Sequence, residues 1–281
     1  MSDFLSEPVV EPLAITDSVT LGGEKPLFIL GPCVIESEKF VRETAEKIKT
    51  IAEAAGAVFV FKASYDKANR SSVSSFRGMD CREGCALLAD IGEQLGVPVT
   101  TDVHTEEQAT IAGDYIDIIQ IPAFLSRQTD LIEAAAKTDR VVNVKKGQFM
   151  APHDVKNIAT KLNSFKNFKF FFTERGVSFG YNTLVADMRS LYWMREAGFR
   201  VVFDATHSVQ RPGGLGESSG GDGVLAPVLA RAALATGCEG IFMETHPNPA
   251  EALSDGPNQV PLEHLGEVLE RLQRVHAASR A

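Results

Sequence analysis

The chain has 281 residues, 44% hydrophobic and 23% charged, enough for a sizeable core in one barrel or in two smaller domains. Its formal charge of −9 argues against the broad basic surface that nonspecific binding to nucleic acid or to an anionic membrane needs. MSDFLSEPVV lacks a basic region followed by an apolar segment, and no apolar run approaches the ~20 residues that span a bilayer, so a soluble, cytoplasmic protein with reduced thiols at Cys33, Cys81, Cys85 and Cys238 is expected.

In chain order, ITDSVTLGGEKPLFIL sets Gly-Gly between two β-prone runs and predicts a small hairpin over 12–25, capping the N-terminal end of the fold. Short β-branched or aromatic runs then alternate with amphipathic stretches. PLFILGP (26–32) leads to the helical pattern FVRETAEKIKTIAEAAG, AVFVFKAS (57–64) to CALLADIGEQLG, and VPVTTDV (97–103) is followed by DIIQIPA (117–123) and TDLIEAAAKT. VVNVKKG (141–147) precedes HDVKNIATKLNSF, FKFFFTERG (168–176) precedes TLVADMRSLYWMREAG, RVVFDATH (200–207) precedes APVLARAALATG, and GIFMETHP (240–247) precedes LEHLGEVLERLQRVHAAS. Several of these helices stop at Gly, the residue that most readily adopts the left-handed C-terminal turn. Eight such units predict an α/β fold, a single (β/α)8 TIM barrel over 1–281, with an open doubly wound sheet as the alternative.

Barrel chemistry is expected at the C-terminal strand ends, and there the polar residues gather: Lys62, Asp102, Gln120, Lys145, Glu174 with Arg175, Asp204 with His207, and Glu244 with His246. FKASYDKANRSSVSSFRG (61–78) adds Lys67, Arg70 and Arg77 in a loop on the same face. Two groups of cations in an acidic chain point to more than one bound anionic group, because a lone phosphate seldom needs six partners. The competing reading is a set of solvated loop charges, strongest for Arg77. Cys33, His207, Glu244 and Asp255 form a mixed soft and hard donor set suited to Zn²⁺, Fe²⁺ or Mn²⁺. Spacing leaves this open: Cys33 also reads as a small buried hydrophobe, Asp255 as a turn former, and His246 competes with His207 because residues 244 and 246 share one face of an extended strand.

Cys81 and Cys85, at i and i+4, read as a packed helix face, FKNFKFFF as barrel core and Trp193 as packing. RPGGLGESSGGDG (211–223) fits no phosphate-binding fingerprint and reads as a mobile lid or a flexible loop. No GxSxG elbow occurs, so a serine nucleophile is not expected.

KASYDKANRSS, TDVH, QIPAFLSRQTDL, NVKKGQF, ERGVSFGYNTLVADM, FDATHSVQ and METHPNP, in that order, resemble the 3-deoxy-D-manno-octulosonate 8-phosphate synthases over nearly the whole chain. The resemblance implies a homotetrameric barrel that condenses phosphoenolpyruvate with arabinose 5-phosphate, with neither nucleic acid nor membrane as a partner. It places Lys62, Ser64, Lys67 and Gln120 at the phosphoenolpyruvate carboxylate, and the Ala123 backbone, Lys145 and Arg175 at its phosphate. Asn69, Arg70 and Ser71 would hold arabinose 5-phosphate, with Arg127 reaching it from a neighbouring subunit. Lys67, Asp102 and His207 are the catalytic candidates. Cys at position 33, where a metal-independent class has Asn, implies a divalent ion (Zn, Mn, Fe or Co) held by Cys33, His207, Glu244 and Asp255. The related 3-deoxy-D-arabino-heptulosonate 7-phosphate synthases, which use erythrose 4-phosphate, typically show a KPRTS-type loop where this chain has KANRSS. A non-catalytic sugar-phosphate sensor would need no donor set at residues 33, 207, 244 and 255, and a metal-dependent aldolase would need no clamp for an enol phosphate.

Overall fold

A computed structural model of the chain describes residues 8–69, 72, 74–212 and 220–280. Eight parallel strands follow in sequence: β1 (Leu27–Gly31), β2 (Val58–Lys62), β3 (Val99–Asp102), β4 (Ile118–Ile121), β5 (Val141–Lys145), β6 (Phe170–Glu174), β7 (Val201–Asp204) and β8 (Gly240–His246). Each pairs with the next, and β8 pairs back onto β1 with Gly240 opposite Leu27 and Glu244 opposite Gly31, which closes the barrel.

Eight α-helices cover the outside: α1 (Glu38–Ala54), α2 (Cys81–Leu95), α3 (Glu106–Gly113), α4 (Thr129–Lys137), α5 (Val155–Ser164), α6 (Met188–Glu196), α7 (Ala226–Ala235) and α8 (Leu262–Ser279). Their starts follow from local chemistry. Ser37 caps α1 by accepting from the Phe40 N–H at 3.2 Å, and Asp80 caps α2 through the N–H groups of Arg82 and Glu83. Helix α2 stops at Gly96, which is left-handed at φ 63°.

Alternation along each strand divides the apolar residues into two cores. Leu27, Ile29, Val60, Ile118, Val141, Phe171, Val202 and Phe242 fill the barrel interior, whereas Phe28, Leu30, Phe61, Val142, Phe172 and Phe203 pack outward beneath the helices. Leu13, Val19 and Leu21 join the interior core from a short antiparallel pair, Leu13–Ala14 with Thr20–Leu21, so a hairpin does plug the N-terminal mouth. Its turn is not Gly-Gly. The chain reverses through residues 15–19, where the Ile15 N–H donates to the Val19 carbonyl at 2.8 Å, and Gly22 and Gly23 lie beyond the second strand.

Candidate active site

The period-two alternation that buries Val60, Ile118, Val141, Phe171, Val202 and Phe242 inside the barrel sends Lys62, Gln120, Asn143 with Lys145, Thr173 with Arg175, Asp204 and Glu244 to the same interior, one or two steps nearer the C-terminal mouth. The residues on that face are thus apolar below and polar above. Gly31 permits the closest approach among them: a Cβ there would lie 1.8 Å from the Lys62 carbonyl oxygen, so only glycine lets β1 turn across β2 and set Cys33 over the barrel.

The polar layer opens into a cavity of about 1640 Å³, lined at its base by Lys62, Asp102, Gln120, Lys145, Arg175 and His207, with Lys67, Asn69, Ala123 and Asp255 nearer the rim. Its size exceeds what one small ligand needs. A chain of hydrogen bonds runs across the base: Thr173 Oγ1 donates to Asn143 Oδ1 at 2.7 Å, Asn143 Nδ2 to Gln120 Oε1 at 2.9 Å, and Gln120 Nε2 to Asp102 Oδ1. Ser64 donates to the other oxygen, Oδ2, at 2.5 Å. Burial opposes ionisation of Asp102, yet the nearby Lys62, Lys67 and Lys145 hold its carboxyl well below the usual range.

On the far wall, Lys145 Nζ stands 2.6 Å from Asp204 Oδ2, 3.5 Å from His207 Nδ1 and 3.7 Å above the centre of the Phe242 ring. Burial lowers its pKa against the pull of Asp204. Arg175 donates through Nη2 to Gln210 Oε1 at 2.7 Å and to the His207 carbonyl at 3.3 Å, while its Nη1 is buried without a partner among the described residues. Burial likewise depresses the guanidinium. Two desolvated cations side by side, one with an unused N–H, form a place where an anion restores what burial takes away.

The third cluster sits beside β1 and β8. Single donor atoms of Cys33, Glu244 and Asp255 lie within 4.8 Å of one another, and Cys33 Sγ is 3.4 Å from Asp255 Oδ2. His207 Nε2 is 3.6 Å from Glu244 Oε1 and 3.9 Å from Asp255 Oδ2, while its Nδ1 is held by Asp204 at 2.8 Å. The cluster is buttressed by cations: Lys62 Nζ is 3.0 Å and Lys67 Nζ 3.8 Å from Glu244 Oε1. Glu244 is held well below its usual pKa by Lys62, His207 and the other lysines despite burial. Burial and Glu244 push the Cys33 thiol well up. Lys67 is raised, against the effect of burial, by Cys33 and by the carboxylates of Glu244, Asp102 and Asp255.

Several expectations are corrected or refined by this geometry. His246 does not compete with His207: its Nδ1 accepts from the Asn248 N–H at 2.9 Å, its Nε2 lies 3.3 Å from Glu36, and its ring packs on Phe40. Ser64 is fully buried with its hydroxyl committed to Asp102, and it is not among the residues that line the cavity. Arg77 is engaged by Asp66 at 2.5 and 2.7 Å and lies off the cavity. Arg127 is exposed and borders a separate hollow of about 270 Å³ with Phe149 and Lys161. Arg70 and Ser71 lie outside the described residues, as does 213–219 of the Gly-rich loop, whose base is a short ladder of Gln210–Arg211 with Gly220–Gly221 at the cavity wall. The sequence alone assigns no role to Asn143, Thr173 or Gln210, and it marks Asp204 only as a strand-end residue. The alternation from Val141 and Phe171 is the signal that points to the first two.

The sequence profile of the DAHP synthetase I family matches residues 10–280. The chain belongs to the DAHP synthetase I family. It is 54% identical over 261 residues to the 2-dehydro-3-deoxyphosphooctonate aldolase of Geobacter sulfurreducens, covering 92% of this chain and 96% of that one. Identity is also 54% with the enzyme of that name from Trichlorobacter lovleyi, over 264 residues covering 94% and 97% of the two chains. With the one from Burkholderia mallei it is 55% over 259 residues, 90% and 91% of the two. In this member of the family the residues at 33, 207, 244 and 255 are donor types that a divalent cation takes, but among the described residues the group whose single donor atoms all lie within 4.8 Å of one another is Cys33, Glu244 and Asp255, with His207 outside it. Asp204 fixes the proton of His207 on Nδ1, which leaves the Nε2 lone pair turned toward two carboxylates, the arrangement that metal-binding imidazoles use.

Proposed function

We propose that the chain is a transferase that condenses phosphoenolpyruvate with D-arabinose 5-phosphate and water to give 3-deoxy-D-manno-octulosonate 8-phosphate and inorganic phosphate, the step that supplies the Kdo sugar of lipopolysaccharide. The observation that carries this reading is the buried Arg175, whose Nη1 has no partner among the described residues, beside the desolvated Lys145 in a cavity with room for a second anion near Lys67 and Asn69. The names of the relatives favour the octulosonate over the heptulosonate reaction.

In this reading Lys145 and Arg175 hold the phosphate of phosphoenolpyruvate, while Lys62, Lys67 and Gln120 face its carboxylate. Asn69, with Arg70 and Ser71, holds the sugar phosphate so that its C1 aldehyde lies over C3 of the enol phosphate. Fixing both reactants in one cavity removes much of the entropic barrier to their collision. A C–C bond forms between C3 and C1, and the aldehyde oxygen becomes an alkoxide. Lys67, kept protonated by the surrounding carboxylates, donates the proton that the alkoxide takes up. Water adds at C2 and loses a proton, which restores Lys67. The hemiketal phosphate so formed breaks its C2–O bond, releasing inorganic phosphate and leaving the C2 ketone. A divalent ion held by Cys33, His207, Glu244 and Asp255 would supply a Lewis acid next to the developing oxygen charge. Asp204 orients His207 and Lys145 together, and Asp102 balances the lysines around the carboxylate subsite.

Among the described residues no helix is long and apolar enough to cross a membrane. Phosphorylated substrates of this kind place the reaction in the cytoplasm. Exposed Phe124, Phe149 and Phe179, on the loops after β4, β5 and β6, support burial of this face against further copies of the chain in a homotetramer. Arg127 shares that face with Phe149, which supports a role for it in a neighbouring subunit's site.

Phosphate release from phosphoenolpyruvate, measured with arabinose 5-phosphate, erythrose 4-phosphate and ribose 5-phosphate, tests the reaction. Arabinose 5-phosphate is expected to give the highest kcat/KM. A higher value with erythrose 4-phosphate would replace this reading with heptulosonate synthesis.

A further inference from the structure

Lys146 and Glu174 face away from the cavity, yet both are almost wholly buried. Alternation explains their direction: Lys145 points into the barrel and Lys146 out of it, Arg175 in and Glu174 out. The two strands are adjacent, with Lys145 opposite Thr173 and the Lys146 N–H donating to the Thr173 carbonyl at 2.8 Å. So Lys145 and Arg175, both facing the cavity, each have, as next neighbour in sequence, one member of a charged pair behind the wall.

What that pair touches is backbone at the strand exits. Lys146 Nζ lies 3.0 Å from the Met150 carbonyl, 3.4 Å from the Gly147 carbonyl and 3.5 Å from Glu174 Oε2. Glu174 Oε1 accepts from the Gly176 N–H at 2.8 Å, and its Oε2 accepts from Ser190 Oγ, on α6, at 3.0 Å. One ammonium thus ties down the turn after β5, one carboxylate the turn after β6, and the two attract one another. The Ser178 N–H, donating to the Gln148 carbonyl at 3.0 Å, joins the same two loops a second time. Burying two charges rarely stabilises a fold more than an apolar pair of the same size would, so stability alone is a weak account of them.

We propose that Lys146 and Glu174 are positioning residues that hold the exits of β5 and β6 in register, and so fix the spacing at which Lys145 and Arg175 meet the substrate's phosphate. This rests on the reading of Lys145 and Arg175 as the phosphoenolpyruvate clamp. Neither positioning residue touches substrate. Their loss should therefore act on phosphoenolpyruvate and not on the sugar phosphate, and only through the clamp.

Lys146→Met, Glu174→Gln and Ser190→Ala are compared with the wild type by calorimetric titration of phosphoenolpyruvate and by steady-state kinetics, with thermal unfolding followed in parallel. Loosening the clamp by as much as one charge-assisted hydrogen bond weakens binding by about tenfold to a hundredfold, so a rise of roughly that size in Kd and KM for phosphoenolpyruvate is expected in Lys146→Met, with KM for arabinose 5-phosphate within about twofold of wild type. Lys146→Met placed on Arg175→Ala should add little, because the clamp it positions is already broken. Ser190→Ala, which removes one hydroxyl, should give a smaller shift in the same direction, and it carries the test if Lys146→Met does not fold. Equal loss of affinity for both substrates in step with stability, full additivity with Arg175→Ala, or wild-type affinity in folded Lys146→Met or, failing that, in Ser190→Ala would each overturn the proposal. Wild-type protein that fails to bind phosphoenolpyruvate would sink the functional reading instead, a different outcome of the same titration.

Discussion

Arg175 and Lys145 carry like charge but are held differently, and their removal should be felt differently. Arg175 rests on a neutral amide and a carbonyl, so Arg175→Ala leaves no charge stranded; Lys145→Ala takes the lysine from the buried Asp204 carboxylate and leaves it to the hydrogen bonds of His207 and Thr206. Each loss removes a charge-assisted contact of about 1.5–3 kcal/mol, so kcat/KM for phosphoenolpyruvate is expected to fall roughly ten- to 150-fold in both, with unchanged far-ultraviolet circular dichroism. Unchanged kcat/KM in both variants would remove the clamp. For the donor set at Cys33, chelation should abolish phosphate release and Zn²⁺, Mn²⁺, Fe²⁺ or Co²⁺ should restore it to differing degrees. Cys33→Ala should lose bound metal by elemental analysis together with activity, whereas Cys33→Asn should keep some turnover. Full activity in protein shown to be metal-free would make Cys33 a buried thiol and nothing more. The strand-end residues are legible in the sequence because a period of two and a run of apolar neighbours are both local properties. The role of Asp204 is not, since it lies in touching Lys145 and His207 at once, a fact of two strands and a loop meeting in space.

The elements show where local pattern suffices and where it fails. Helix α3 escapes the search for helical periodicity, because its buried face consists of Ala109 and Ala112 and carries almost no amphipathic contrast. Its start is nevertheless marked: Thr105 accepts from the Gln108 N–H at 3.2 Å, and Gln108 reaches back to the His104 N–H at 2.9 Å, a relative of the capping box. The hairpin turn is misplaced for the opposite reason, since Gly-Gly is a strong turn pattern that here serves the exit from the hairpin. Helix α8 holds a pH-sensitive position. Its buried stripe runs Leu262, Leu265, Leu269, Leu272 and ends in His276, an imidazole where the pattern calls for an aliphatic residue, with Nε2 buried and unpartnered among the described residues. Burial, aided by Arg280, lowers its pKa from the ordinary value to about 4. The unfolded chain therefore binds a proton near pH 6.5 that the folded chain refuses until about pH 4, so stability is full above that window and falls as pH drops through it. The slope attributable to His276 approaches about 1.4 kcal/mol per pH unit. Urea unfolding of wild type and His276→Leu at about pH 7 and about pH 5, above and within that window, isolates it: the wild type should lose more stability than the variant. Parallel losses would show that the imidazole does not titrate with folding.

For the whole molecule, a chain of net charge −9 gathers the buried Lys62, Lys145 and Arg175 into one mouth of one barrel, where a bound anion would meet them at short range and through little water. In the proposed homotetramer that mouth would gain a second contributor. If Arg127 completes a neighbour's site, mixing Arg127→Ala with Lys62→Ala protein should regenerate some active sites, since a hybrid oligomer can combine an intact Lys62 with an intact Arg127 from the next subunit. With subunit exchange shown independently by mass, hybrids that stay inactive would confine each site to a single chain. The alternation of the strands also has a hereditary consequence. Deleting one codon within β6 would turn Arg175 toward the helices and Glu174 toward the substrates, setting a carboxylate where the guanidinium stood for the loss of a single residue. Length changes in the strands of such a barrel are therefore tolerable only two residues at a time, if at all. Insertions and deletions in descendants of this gene should fall in the connections, and point substitutions alone should mark the staves.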